Sequence, residues 1–173
     1  MEIVADILKI TIPALLLLLM AWLILRNMIK NDQNKRRQEL LLQSNKTLTP
    51  IKLQAYERIV LYLERISLES LLMRTSSPDM SASQLQTALL NTIRSEFEHN
   101  LSQQIYMSPQ AWEVVKSAKS NMIKIINNEA ENLLLKSTGM DLTKRLFDHI
   151  MKIDKEPTRV AIDFIKMEIA RIF

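Results

Sequence analysis

From Ile10 to Leu25 the chain carries no charged side chain and is almost wholly apolar, and moving the start back to Ile7 admits only Lys9. At ~1.5 Å per residue, a helix from Ile7 to Leu25 reaches roughly 28 Å, close to the ~30 Å hydrocarbon core of a bilayer. A helix is the one single segment that satisfies its own backbone in lipid. The pattern therefore predicts an N-terminal transmembrane helix over residues 1–26. Lys9 near one end can snorkel to the headgroups. Pro13 falls in the first turns, where a missing donor costs least. Trp22 stands near the other interface, where an indole is favoured. A cleaved signal peptide would put positive charge before the apolar run and small residues after it. Here the charge order is reversed and no such small-residue site follows.

Beyond the apolar run the period changes. Residues 27–49 are polar and helix-compatible, and they predict a basic juxtamembrane linker helix. It should end in a break at Thr47-Leu48-Thr49-Pro50, with Thr49 capping the next helix and Pro50 in its first turn. Residues 50–173 then read as a helical bundle. Ile51, Ala55, Tyr56, Ile59, Val60, Leu63 and Ile66 recur at helical spacing and cover more than half the wheel, which suits a helix packed against several neighbours. Ser67 suits the cap of a short turn over Leu68–Arg74, followed by a loop from Thr75 to Asp79. Ser81 with Gln84 is a capping-box pattern. The helix it opens carries Leu85, Ala88, Leu89, Ile93, Phe97, Leu101 and Ile105. Ser108-Pro109 starts another, with Trp112, Val115, Met122, Ile126, Ala130 and Leu133. Gly139 stands where a helix C-terminal cap is expected. Asp141 then opens a short helix, and Pro157 precedes the last. Loops of a few residues imply antiparallel neighbours. The fold class expected is all-α: the membrane helix plus a compact soluble bundle of about five helices. Pro50, Pro78, Pro109, Gly139 and Pro157 argue against a single unbroken stalk helix.

Composition narrows the chemistry. One glycine in 173 residues leaves little room for hairpins or phosphate-cradling loops, and the absence of cysteine removes disulfides, zinc ribbons and thiol catalysis. Charge fixes a direction. Residues 26–46 carry a net +4, whereas residues 47–173 carry only +1. A nearly neutral domain is not marked as a nucleic-acid binder. Arg26, Lys30, Lys35, Arg36 and Arg37 follow the span closely, so the positive-inside rule puts the N-terminus outside and the bundle in the cytoplasm. Lys30, Lys35, Arg36 and Arg37 are the expected contacts to membrane headgroups.

One constellation invites a chemical reading: Glu96-Phe97-Glu98-His99-Asn100. Glu96 and His99 are three apart on a helix and point to one side. Carboxylate-bridged di-iron bundles use this Glu-x-x-His spacing, but they need it twice. The other histidine, His149, has Leu146 three residues before it, so the second half is missing. A buried-edge polar stripe of Thr92, Glu96, His99 and Gln103 is the alternative, and such groups need partners. Arg58, Arg65, Glu96, His99, Asn100 and Gln103 are therefore the expected polar network or partner surface. No nucleophile elbow is present. No catalytic residue, metal ligand or cofactor is assigned.

The stretch Gln54-Ala55-Tyr56-Glu57-Arg58-Ile59-Val60-Leu61-Tyr62-Leu63-Glu64-Arg65-Ile66 resembles an uncharacterised family of short bacterial, membrane-anchored, all-helical proteins. So does the block from Ser83 through Ile93-Arg94-Ser95-Glu96-Phe97-Glu98-His99-Asn100-Leu101-Ser102-Gln103-Gln104-Ile105-Tyr106 to Trp112. The resemblance extends to about residue 127 and implies a recurring architecture, without an activity. The function expected is a non-enzymatic interaction or scaffold protein of the bacterial inner membrane, an accessory subunit of a larger assembly. Its partners would be the membrane and a protein or a second copy, with no nucleic acid. The alternatives are a metal-dependent enzyme using Glu96 and His99, and a lipid-binding helical domain.

Overall fold

The computed structural model describes the backbone of residues 2–134 and 136–172, with side chains at 15–28, 36, 46, 48–134 and 136–171. Among these residues there are six α-helices and one 3-10 segment, and no strand. The chain divides into two compact units, Met1–Thr49 and Pro50–Phe173.

Helix α1 is Glu2–Arg65; its residues to Thr49 form the first unit and the rest opens the second. The break expected at Thr47–Pro50 is therefore corrected: helical hydrogen bonding carries on through it. An interior proline costs about 3 kcal/mol, chiefly through one lost hydrogen bond and a ring clash. Pro50 and Lys46 are both exposed, so water can reach the carbonyl left unpaired. The helix-forming residues on either side outweigh the local preference.

In the first unit every described side chain from Leu15 to Met28 is exposed. Eleven of them are large hydrophobics, between 47% and 71% accessible. The Arg26 guanidinium lies 5.1 Å from the centre of the Trp22 ring. Among the described residues no helix is long and apolar enough to cross a membrane. The span expected from sequence begins at Ile7, and the side chains of residues 7–14 lie outside those described. So do Lys30, Lys35 and Arg37, whereas Arg36 is described and exposed.

The second unit adds α2 (Leu68–Thr75), α3 (Ala82–Asn100), the 3-10 segment Leu101–Tyr106, α4 (Pro109–Glu131), α5 (Gly139–Lys152) and α6 (Pro157–Ile172). Its helix starts follow the side-chain chemistry. Ser81 and Gln84 close a capping box on α3, Thr138 and Asp141 do the same on α5, and the Ser108 hydroxyl accepts from Ala111 N on α4. Helix α2 is capped differently. The Ser67 hydroxyl donates backward to the Glu64 carbonyl, and the Leu68 N–H donates to Glu156 Oε1 at 2.7 Å. Burial pushes the Glu156 carboxyl above its ordinary range, against the pull of the hydrogen bonds from Leu68 and Thr158.

One core joins these elements. Tyr56, Ile59 and Leu63 of α1 and Ile66 just after it enter it with Leu85, Leu89 and Ile93 of α3, and with Val115, Ala118, Met122 and Ile126 of α4. Leu142 and Leu146 of α5 and Ala161, Ile162 and Ile165 of α6 complete it. Apart from the adjacent Ala161 and Ile162, these positions recur three or four residues apart along each helix, so each helix gives one face to the interior. Helix α4 packs against α6, α3 and α5.

Gly139 differs from the sequence expectation. It starts α5 and does not end a helix, and its φ is not positive. Its N–H donates to the Met80 carbonyl at 2.7 Å, beside an isolated bridge between Ser81 and Thr138. A Cβ there would stand 2.9 Å from that same carbonyl oxygen. The glycine is needed for close approach of two backbones. Gly139→Ala should cost about 1–3 kcal/mol through forced separation of the two loops. A melting curve matching the parent protein's would contradict this role.

Candidate functional site

Helix α1 presents Arg58, Leu61 and Arg65 on one exposed side, three and four residues apart. Helix α3 faces them with Asn91, Thr92, Ser95, Glu96, His99 and Asn100. Between the two lies a groove of about 870 Å³. The facing arrangement follows from the opposite edges of the same helices. Tyr62 and Phe97 are buried or half-buried with ring centres 6.0 Å apart, and Phe97 stacks on Trp112 at 5.4 Å. The Lys119 ammonium sits 3.7 Å from the centre of the Phe97 ring.

Glu96 is the most enclosed charge in the groove. Its Oε1 forms an ion pair with Arg65 Nη2 at 2.9 Å and accepts from Arg74 Nη1 at 3.4 Å. Arg74 is held in turn, with Nη2 donating to the Arg65 carbonyl at 2.6 Å and Nε to the Ser70 carbonyl at 3.3 Å. One carboxylate thus links the end of α1, the end of α2 and the last turns of α3. Thr92 Oγ1 donates to the Ala88 carbonyl and Asn100 Nδ2 to the Glu96 carbonyl, each at 2.8 Å, so both serve their own helix. Among the described residues, the side chains of Arg58, Asn91, Ser95 and His99 have no hydrogen-bond or ion-pair partner.

Of the six residues expected to form a polar network, Arg58, Arg65, Glu96, His99 and Asn100 line this one groove. Gln103 does not. Helix α3 ends at Asn100, and the following 3-10 turn rotates the side chains by about 120° per residue instead of 100°. Gln103 is consequently buried beside Ser102, with its Nε2 3.3 Å from the Ser102 hydroxyl. The same change of period exposes Leu101 and Ile105, which α-helical spacing would have placed on the apolar face. Arg74 was not foreseen, because nothing in its spacing links it to a carboxylate 22 residues away. For a metal, the Glu96 carboxylate is poorly disposed: two guanidinium groups supply positive charge where a cation would sit. No group of three metal-ligating side chains occurs among the described residues.

Two other polar clusters escaped sequence reasoning. Glu129 of α4 accepts from Arg145 Nε at 3.1 Å, and His149 Nδ1 lies 3.0 Å away, both from α5. Burial opposes ionisation of Glu129, but these two partners together hold its carboxyl below the ordinary range. The second cluster joins three elements. Tyr56 OH donates to Glu168 Oε1, and the Ser108 hydroxyl donates to Glu168 Oε2 at 2.9 Å. The Ser108 N–H donates to Tyr56 OH at 3.4 Å. Burial, and then the Glu168 carboxylate, push the Tyr56 phenol up to about 12. Burial and the Glu96 charge also raise Tyr62, whose buried hydroxyl has no partner among the described residues.

These arrangements make two predictions. Glu96→Ala should lower stability by about 1 kcal/mol, given that both arginines are substantially exposed. In urea titrations the double variant with Arg65→Ala should cost less than the two single variants added together; strict additivity would show that the pair is not coupled. A phenol with a raised folded pKa stabilises the fold fully below its unfolded value, near pH 10, and that stability is lost as pH rises through about 12. Tyr56→Phe should reduce the loss of stability over that interval, and an unchanged slope would rule Tyr56 out as its source.

No curated protein and no solved structure matches the chain. Its sequence is matched over residues 2–172 by the model of a family of unknown function, DUF7935. That match takes in α1, the groove and every helix of the second unit, and the chain belongs to this family.

Proposed function

We propose that the protein is a membrane-anchored helical interaction protein without catalytic chemistry, an accessory subunit of an assembly in the bacterial inner membrane. The observation that carries this reading is the exposed apolar run from Leu15 to Leu25. Burying one leucine-sized side chain is worth about 1.5–3 kcal/mol. A helix with such side chains around its whole circumference has no polar face to offer water. The uncharged stretch from Ile10, extended to Ile7 across Lys9, supplies the length that a bilayer requires. The positive charges after it favour an outward N-terminus, with the bundle in the cytoplasm and Lys30, Lys35, Arg36 and Arg37 among the headgroups. Tethering would raise the local concentration of the bundle toward partners in the same membrane, whether another protein or a second copy. The metal-enzyme reading is weaker, because the carboxylate it needs is already engaged by Arg65 and Arg74.

A reporter fused after Phe173 should be active only as a cytoplasmic fusion, and periplasmic activity would reverse the orientation. In alkaline extraction the parent chain should stay with the membrane pellet. Leu16→Arg with Leu18→Arg should release it, since each central arginine costs about 3 kcal/mol on insertion. Release of the unaltered chain would overturn the anchor.

A further inference from the structure

Four of the nine residues that line the groove between α1 and α3 carry polar side chains that the fold does not engage among the described residues. Arg58 has no partner among the described residues, and neither have Asn91, Ser95 and His99. Arg65 gives one Nη2 contact to Glu96 and keeps its other guanidinium N–H groups. The single carboxylate in the groove is matched by Arg65 and Arg74, so it does not present a free negative charge. Counting the two arginines of its lining, Arg58 and Arg65, against Glu96, the groove carries a surplus of one positive charge.

We propose that this groove binds a phosphate monoester. The donors come from two walls: guanidinium groups from α1, and amide, hydroxyl and imidazole groups from α3. A planar carboxylate offers two oxygens in one plane and suits a single arginine fork. A tetrahedral phosphate offers three terminal oxygens in diverging directions and can take donors from both sides. Arg58 and Arg65 are seven residues apart, about 10 Å along the helix, so one phosphate engages both only through their long side chains. The groove volume of about 870 Å³ exceeds what a phosphate alone fills, leaving space for the group it esterifies. Leu61, 57% exposed between the two arginines, offers that group an apolar wall. The proposal rests on reading this groove as the interaction surface of the domain, and it does not depend on the anchor. The phosphate can belong to a soluble metabolite or to a lipid headgroup, which share this chemistry.

The test uses the full chain in neutral detergent micelles, with calorimetric titration of two probes. Glycerol phosphate represents the soluble source. Dihexanoyl phosphatidic acid carries the same monoester on a lipid. Saturable binding of at least one is expected, weaker at higher salt, and the probe bound more tightly identifies the source. Arg58→Gln should weaken that binding about tenfold or more, the loss of a charge-assisted contact. Arg58 is exposed and has no partner among the described residues, so this variant should melt like the parent. Ser95→Ala and His99→Gln, from the opposite wall, should each weaken binding severalfold. Absence of saturable binding by both probes would overturn the proposal, as would equal binding by the parent, Arg58→Gln and His99→Gln. Neither result would disturb the extraction and reporter experiments, so the anchor and the groove stand or fall separately.

Discussion

The apolar seam that brings the last turns of α1 alongside α3 is the constraint on which the groove depends. Ile59 and Leu63 of α1, Ile66 just after it, and Leu85, Leu89 and Ile93 of α3 are fully buried in one core. Burial on that scale outweighs any single polar contact, because each such side chain is worth more than an exposed ion pair. Once the seam is set, helical geometry fixes what lies at its edge. Arg58 and Arg65 emerge from α1 on the side where α3 carries Thr92, Ser95, Glu96 and His99. The polar pairing is therefore a consequence of apolar packing. Glu96 then restrains Arg65.

A second theme is how few carboxylates hold the elements together. Glu96 joins the ends of α1 and α2 to α3, Glu168 joins α6 to α1 and to the start of α4, and Glu156 caps α2 from the turn before α6. Glu156 and Glu168 accept from groups that would otherwise be unpaired near the core, the first N–H of α2 and the Tyr56 phenol. Glu156 stands apart because it accepts from the Leu68 N–H and from Thr158 and has no positive partner among the described residues. Burial accordingly dominates its ionisation, whereas Glu129, with Arg145 and His149 beside it, shifts the other way.

Much of the bundle was legible because its helices begin with local chemistry. Ser81-x-x-Gln84 and Ser108-Pro109 need only their own neighbours to specify a start, and both capped helices are present. The apolar faces were legible for the same reason, since the period of a helix is a local property. What failed depended on distant backbone or on a change of period. Gly139 looked like a cap, because its close approach to Met80 is invisible along the chain. Pro50 looked like a break, because the preference of one residue gave no measure of the helix around it. Gln103 joined the polar stripe only while α-helical spacing was extended past Asn100. Arg58, Arg65, Glu96, His99 and Asn100 follow from one wheel and one charge argument, and they share a groove. Arg74 and the clusters around Glu129 and Glu168 arise from contacts between helices far apart in sequence.

The two arginines of α1 separate stability from binding in a way that follows from their contacts. Arg65 has a carboxylate to restrain it, so removing it leaves Glu96 with Arg74 alone and touches the fold. Arg58 has no such tie among the described residues, and the fold gains little from its charge. An exposed guanidinium on a well-packed helix is ordinarily solvated and inconsequential. This one faces three unengaged polar side chains across a groove, on a domain whose charge is otherwise almost balanced. Arg65, held by Glu96, is a positive charge already in place beside them, which lowers the cost of taking an anion from water. The groove is thus preorganised on one side by Glu96 and left open on the other by Arg58, and its affinity can change without changing the bundle that supports it.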